Sequence, residues 1–130
     1  MTSGSVDIGV ESGAPIVALG IDAGSTTCKA VAVDADQQVV AWTLADMSPR
    51  VEDQTRATID AFGEVCGMAD VPVFATGYGR KLVPDADRAI TEITCHARGV
   101  FADTGTAGTL IDIGGQDSKC ISIEEGGHVR

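Results

Sequence analysis

The stretch that decides the fold is LGIDAGSTTCKAV, residues 19–31. It starts as an apolar strand, reaches an acid at Asp22, turns through Gly24, Ser25 and Thr26, and continues as a second apolar strand. Glycine lets the backbone of such a turn approach a ligand closely, and successive backbone N–H groups can then point into one concavity. The pattern therefore predicts a phosphate-binding turn between two strands.

A second stretch, LIDIGGQDSK at residues 110–119, repeats this pattern of apolar strand, acid and glycine. The carboxylates of Asp22 and Asp112 cannot bind a phosphate directly, since both groups are anionic, but they can hold the waters around magnesium. We therefore predict Asp22 and Asp112 as magnesium ligands through water, with Lys29 placing a positive charge near a phosphate. One such turn alone is more often an ordinary hairpin turn; the pair suggests two facing phosphate loops.

Apolar periodicity gives the order of the remaining elements. Three strands joined by short turns form an antiparallel meander, and the chain then alternates between helix and strand. The predicted order is β-β-β-α-β-α-β-β, with strands at 16–21, 28–33, 38–44, 71–75, 109–113 and 119–123, and helices at 51–68 and 89–103. The sequence therefore predicts an α/β protein with a flexible N-terminal tail over 1–15.

Net charge, cysteine spacing and the N-terminal residues make several classes of function less plausible. The 130-residue chain has a formal net charge of −10, which disfavours binding to nucleic acid or to an anionic membrane surface. The four cysteines show no CxxC pair and no zinc or ferredoxin spacing, so we interpret them as buried reduced thiols. The N-terminal residues do not resemble a signal peptide, and a cytoplasmic protein is expected.

Four blocks in this order closely resemble the BadF/BadG/BcrA/BcrD ATPase family: GIDAGSTTCKAV at 20–31, ATGYGR at 75–80, EITCHARG at 92–99 and LIDIGGQDSK at 110–119. The family contains activators of 2-hydroxyacyl-CoA dehydratases and ATPase subunits of benzoyl-CoA reductases. The resemblance implies an actin-like (ribonuclease H-like) lobe over 16–108 and the start of a second lobe over 109–130. It also implies ATP with magnesium as cofactors, and a homodimer or paired subunits that pass a low-potential electron to the dehydratase or reductase.

The resemblance also implies roles for individual residues. The first phosphate loop would contain Asp22, Gly24, Ser25, Thr26 and Lys29, and the second would contain Asp112, Gly114, Gly115 and Gln116. Glu92 is expected where related ATPases keep a residue that orients water, although a solvated surface glutamate is the alternative. In the complete family protein a [4Fe–4S] cluster bridges two subunits, and its cysteines follow the GGQDSK hairpin. We therefore assign no iron–sulfur ligand in this chain.

Other interpretations remain open. The chain can be a truncated or split fragment that binds nucleotide without catalysis and needs a partner chain to complete the cleft. A sugar or acetate kinase of the same superfamily is less well supported, because we see neither a catalytic base nor a sugar pocket. His96 has no evident partner of ligand type in the sequence, and Tyr78 and Arg80 belong either to a shaped loop at the cleft or to an ordinary surface turn.

Overall fold

The computed structural model describes residues 6–114 and 118–130. Contacts within the chain divide it into two compact units, with the boundary between Ile90 and Thr91. Each unit has its own apolar core.

The first unit is built on a six-stranded mixed sheet with the strand order β1-β4-β3-β2-β5-β6. Strands β2, β3 and β4 form the antiparallel meander, and β5 and β6 add to it in parallel. The strand bounds are β1 Gly9–Val10, β2 Ala18–Ala23, β3 Thr27–Val33, β4 Val39–Asp46, β5 Val73–Thr76 and β6 Arg88–Ala89.

One face of this sheet is buried because apolar residues alternate along each central strand. On β2, Leu19, Ile21 and Ala23 are at most 1% exposed, whereas Gly20 and Asp22 lie on the opposite face. Helix α1, Val51–Cys66, packs on the apolar face and buries Phe62 completely. This alternation fixes which face of the sheet presents Asp22.

Helix α1 begins with Glu52 and Asp53 in its first turn, where negative side chains interact favourably with the helix dipole. It ends at Cys66, and Gly67 follows with a φ of +80°, a conformation that glycine adopts without strain. After β5 the chain turns through Gly77 and Gly79 into a single 3-10 turn over Arg80–Leu82.

The second unit contains helix α2, Glu92–Thr104, and a two-stranded antiparallel hairpin of β7, Gly108–Ile113, and β8, Ser118–Ile123. Its core is small: Ala97, Ile121 and Ile123 are buried, and other apolar side chains of the helix and of β7 pack around them. Among the described residues, no helix is long and apolar enough to cross a membrane.

The predicted α/β class and element order are confirmed, with boundaries shifted by a few residues and two short strands added. Strand β1 lies inside the predicted flexible tail, because Gly9 and Val10 pair with Trp42 and Ala41 of β4. Helix α2 starts at Glu92 and not near Ala89, because Ala89 belongs to β6, which pairs with β5. Sequence periodicity cannot show either strand, since a two-residue strand is too short to alternate.

Candidate functional site

The first candidate site lies at the end of β2, where Asp22 faces Lys29 across the β2–β3 hairpin. The Lys29 Nζ donates to Asp22 Oδ2 at 3.2 Å, and both side chains remain partly accessible to solvent. The two strands impose this contact, because residues paired in register on adjacent strands lie on the same face of a sheet. The hairpin therefore presents an acid and a cation together.

The turn that joins these strands is tight. The Gly24 N–H donates to the Thr27 carbonyl at 3.0 Å, and a Cβ on Gly24 would lie 2.9 Å from that same oxygen. A side chain at Gly24 would therefore force the turn open. Ser25 and Thr26 form the exposed tip, where their hydroxyl groups can reach a ligand.

The segment after β5, residues 76–80, packs against the same end of β2. Gly77 has a φ of +93°, and a Cβ there would meet the Ala23 carbonyl oxygen and the Asp22 Oδ1 at 2.5 Å each. The Gly79 N–H donates to the Ala23 carbonyl oxygen at 2.8 Å. This segment is thus a shaped loop that packs beside the β2–β3 turn and not a free surface turn.

Inside this loop, Arg80 holds the backbone and Tyr78 faces solvent. The Arg80 Nη1 donates to the Gly77 carbonyl oxygen at 3.0 Å, whereas Tyr78 is 77% exposed. The hydroxyl oxygen of Thr76 is buried and has no hydrogen-bond partner among the described residues. Thr76 lies in register with Asp22 on the neighbouring parallel strand.

The second candidate site is in the second unit, on the β7–β8 hairpin and helix α2. Asp112 lies in register with Lys119 across the hairpin. The His96 Nδ1 lies 3.4 Å from Asp112 Oδ2, and the Lys119 Nζ lies 3.5 Å from Glu92 Oε2. His96 and Glu92 occupy positions i+4 and i of one helix, so both face the hairpin.

This arrangement corrects the expectation for His96, whose partner is Asp112. Glu92, predicted to orient water, is the first residue of α2 and forms an ion pair with Lys119. Gly114 follows β7 and is exposed, whereas Gly115 and Gln116, predicted for the second phosphate loop, lie outside the described residues.

The two hairpins share a spacing that the motif analysis missed. An acid is followed two positions later by glycine and seven positions later by lysine, at Asp22, Gly24 and Lys29 and again at Asp112, Gly114 and Lys119. In both hairpins the structure brings the acid and the lysine into register. Lys119 could have been found from this spacing, whereas Thr76 could not, because its pairing with Asp22 depends on a distant strand.

The cysteines are all free, but they are not all buried. Cys28 is 1% exposed and lies against the Thr58 side chain, whereas Cys120 is exposed. Burial, and to a lesser extent the negative charge of Asp22, raises the pKa of the Cys28 thiol above its ordinary 9.0. Cys66 and Cys95 are intermediate in exposure, so the prediction of four buried thiols is wrong for Cys120 above all.

The residues at the end of β2 fit a magnesium–nucleotide complex. Magnesium usually keeps several waters and takes only one or two carboxylates from the protein, and here one carboxylate, Asp22, stands beside the buried hydroxyl of Thr76. Lys29 supplies the positive charge that a phosphate needs. Because Gly24 has no side chain, the tip of the turn stays narrow enough for backbone contact with an anion.

Comparisons with solved structures agree with this fold. The activator of the 2-hydroxyisocaproyl-CoA dehydratase from Clostridium difficile, solved with bound ADPNP, has a TM-score of 0.72 and 34% identity, covering 86% of this chain and 42% of that one. The (R)-2-hydroxyglutaryl-CoA dehydratase component A of Acidaminococcus fermentans has a TM-score of 0.73 and 34% identity, covering 86% and 44%. The predicted actin-like fold class is therefore confirmed.

Sequence comparison gives the same result. The activator of lactoyl-CoA dehydratase from Anaerotignum propionicum is 41% identical over 115 residues, which cover 86% of this chain and 44% of that protein. The chain thus spans less than half the length of this relative. A sequence model of the BadF/BadG/BcrA/BcrD ATPase family matches residues 19–130. The chain therefore belongs to the BadF/BadG/BcrA/BcrD ATPase family.

Proposed function

We propose that this chain binds ATP with magnesium through the β2–β3 turn and is the nucleotide-binding part of an ATPase that activates a 2-hydroxyacyl-CoA dehydratase or a benzoyl-CoA reductase. The observation that carries the proposal is the pairing of Asp22 with Lys29 beside the tight Gly24 turn. An ordinary hairpin turn does not require an acid and a cation on the same face at its end.

Each residue of this turn has a defined task in the proposal. Lys29 binds a terminal phosphate as a point charge, and Asp22 holds waters of the metal. Ser25 and Thr26 donate from their hydroxyl groups at the exposed tip. Bound magnesium shields the phosphate charge and polarises the terminal phosphoryl group.

The second unit contributes the second acidic turn of the proposal. Asp112 holds metal-bound water, and Gly114 with Gly115 and Gln116 forms a second phosphate loop, as the family resemblance implies. Glu92 orients water, and its ion pair with Lys119 fixes the carboxylate at the start of α2. The support for Asp112 and Gly114 is the shared spacing of acid, glycine and lysine in the two hairpins. The roles of Glu92, Gly115 and Gln116 rest on the family resemblance.

The activating role comes from the relatives, three of which are named as activators or activating ATPases of CoA-ester dehydratases. In such a role ATP drives a low-potential electron to the partner enzyme, and a [4Fe–4S] cluster would carry the electron. The cysteines described here do not fit the cluster: Cys28 is buried in β3, and the other three lie on separate elements, α1, α2 and β8. We therefore assign none of these four cysteines to the cluster. In the proposal, the cluster ligands belong to the complete family protein, which has a second subunit as its dimer partner.

Nucleotide binding is the direct test of the proposal. The protein produced from its complete coding sequence is titrated with a non-hydrolysable ATP analogue, with magnesium and then with EDTA. We expect Asp22→Ala and Asp112→Ala each to abolish the magnesium-dependent part of the binding. Asp36→Ala, an exposed acid in the neighbouring hairpin turn, serves as the matched control and should bind as the parent protein does. Unchanged affinity in both site variants would contradict the two-turn proposal.

The activating role needs its own assay. The complete protein is mixed under anaerobic conditions with a candidate dehydratase, a low-potential reductant and ATP, and formation of the dehydrated acyl-CoA is measured. Product that forms only when ATP and this protein are both present supports the role. ATP consumption that requires an added sugar or acetate acceptor would instead indicate a kinase.

A further inference from the structure

The phosphate turn at Asp22 has a second neighbour besides the β3 strand, namely the loop over residues 76–80. Asp22 lies in register with Lys29 on one side and with Thr76 on the other, so the three side chains form a row across β3, β2 and β5 on one face of the sheet. Adjacent strands are only about 4.8 Å apart. The side chains of Thr76 and Asp22 are therefore direct neighbours on this face.

The hydroxyl of Thr76 has no hydrogen-bond partner among the described residues, although its oxygen is buried. Buried hydroxyl groups in native proteins are nearly always hydrogen-bonded, and each exception needs an explanation. On the β2 side, Asp22 is the strand residue that lies in register with Thr76. A ligand held by Asp22 would supply the missing partner.

The glycine that follows Thr76 points to the same site. At Gly77 a Cβ would lie 2.5 Å from Asp22 Oδ1, so this position must lack a side chain for the carboxylate to keep its place. The Gly79 N–H bond to Ala23 fixes the loop against the end of β2. The loop thus passes so close to Asp22 that a side chain at Gly77 has no room.

We propose that Thr76 is a positioning residue of the magnesium–nucleotide site: its hydroxyl accepts a hydrogen bond from a metal-bound water that Asp22 also holds, and Gly77 leaves the space for the carboxylate to do so. The inference rests on the proposed nucleotide function and adds a third segment to the site. The ATGYGR block thereby gains a role in binding the metal's water, from strand β5 on the side of β2 that faces away from Lys29.

The test separates the hydroxyl from the shape of the side chain. Thr76→Val keeps the volume and removes the hydroxyl, whereas Thr76→Ser keeps the hydroxyl. Affinity for a non-hydrolysable ATP analogue is measured for each protein in magnesium and in EDTA, with thermal unfolding to confirm folding. We expect Thr76→Val to weaken binding about tenfold in magnesium and to leave it unchanged in EDTA. Thr76→Ser should stay within about twofold of the parent protein, because a serine hydroxyl also accepts.

A second pair of variants tests the close approach. Gly77→Ala introduces both a strained φ and the contact with Asp22, whereas Gly67→Ala introduces a strained φ of +80° with no atom within 4 Å of the new Cβ. Both variants should lose stability, and only Gly77→Ala should also lose magnesium-dependent binding. If Gly77→Ala does not fold, the two Thr76 variants still decide the matter.

The results distinguish this inference from the function on which it rests. If the parent protein binds no nucleotide, both fail. If the parent binds and Asp22→Ala loses the magnesium dependence while Thr76→Val keeps it, the role of Thr76 is refuted and the proposed function stands. A loss in Thr76→Val that is equal in magnesium and in EDTA also refutes the role, since it shows a general packing defect.

Discussion

Replacing Lys29 by methionine should separate the energetics of folding from those of nucleotide binding. Lys29 and Asp22 lie 3.2 Å apart, and Coulomb's law in water gives about 1.3 kcal/mol for two unit charges at this distance. The Lys29 and Asp22 side chains are 46% and 28% exposed, so side-chain entropy and salt screening reduce the net contribution to less than about 1 kcal/mol. Methionine keeps the apolar stem, and we expect the melting temperature to fall by less than about 5 °C.

Binding should respond much more strongly. A hydrogen bond between a lysine and a phosphate contributes about 1.5–3 kcal/mol, which corresponds to roughly a 10- to 100-fold weaker affinity for the nucleotide in Lys29→Met. The assay combines thermal unfolding without nucleotide with titration of a non-hydrolysable ATP analogue in magnesium. Lys81→Met, at an exposed lysine on the 3-10 turn, is the control for loss of one positive charge.

Two results would refute this reasoning. A fall in melting temperature above about 10 °C would mean that the ion pair holds the hairpin together, and that its role is structural. An unchanged affinity in Lys29→Met, or an equal loss in Lys81→Met, would mean that Lys29 does not contact the phosphate. Repeating the titration at high salt adds a check, because screening should reduce the difference between parent and variant.

Four further outcomes are expected. Phe62→Ala should lower the free energy of unfolding by about 3–5 kcal/mol, measured by urea denaturation, because this completely buried ring fills the core under the sheet. Burial raises the pKa of the Cys28 thiol above 9.0, so the stabilisation from the neutral thiol is present below that pH and is lost as the pH rises. The free energy of unfolding, measured by denaturation, should therefore be lower at pH 10 than at pH 8 for the parent protein, and this difference should be smaller for Cys28→Ala. A thiol reagent should label Cys120 before Cys28 in the folded protein, as mass spectrometry of peptides can establish. His96→Ala should cost less than about 1 kcal/mol in thermal unfolding, since His96 and Asp112 are both partly exposed.

Much of the fold could be predicted because its information is local. The three strands of the meander read as apolar runs separated by turn residues, and the period of Ile59 and Phe62 marks helix α1. The acids of both turns were found for the same reason, since the acid and its glycine are neighbours in sequence. The two short strands β1 and β6 could not be predicted, because each depends on pairing with a strand that is distant in sequence. Strand β1 pairs with β4, and β6 pairs with β5.

The same physical reason explains the residues that were missed at the site. Thr76 gains its relation to Asp22 from the parallel register of β2 and β5, which are separated by the rest of the meander and helix α1. His96 meets Asp112 because α2 packs along the hairpin, a contact that the helical period of α2 alone does not show. Sequence patterns show which side chains lie on the same helix or strand. They do not show which side chains on different elements come into contact in the folded chain.

The two acidic turns differ in how the structure holds them. Asp22 lies on a strand with neighbours on both sides, so backbone pairing to β3 and β5 fixes its position even if a side-chain contact is lost. Asp112 lies on a two-stranded hairpin, which is marginal in isolation, and its strand has a single neighbour. On the outer face of that hairpin Ile111 and Ile113 are 67% and 80% exposed, so among the described residues of this unit the apolar packing of β7 comes from its inner face, against α2 and β8. The position of Asp112 therefore depends on side chains such as His96, and substitutions on α2 should disturb the second turn more than substitutions on α1 disturb the first.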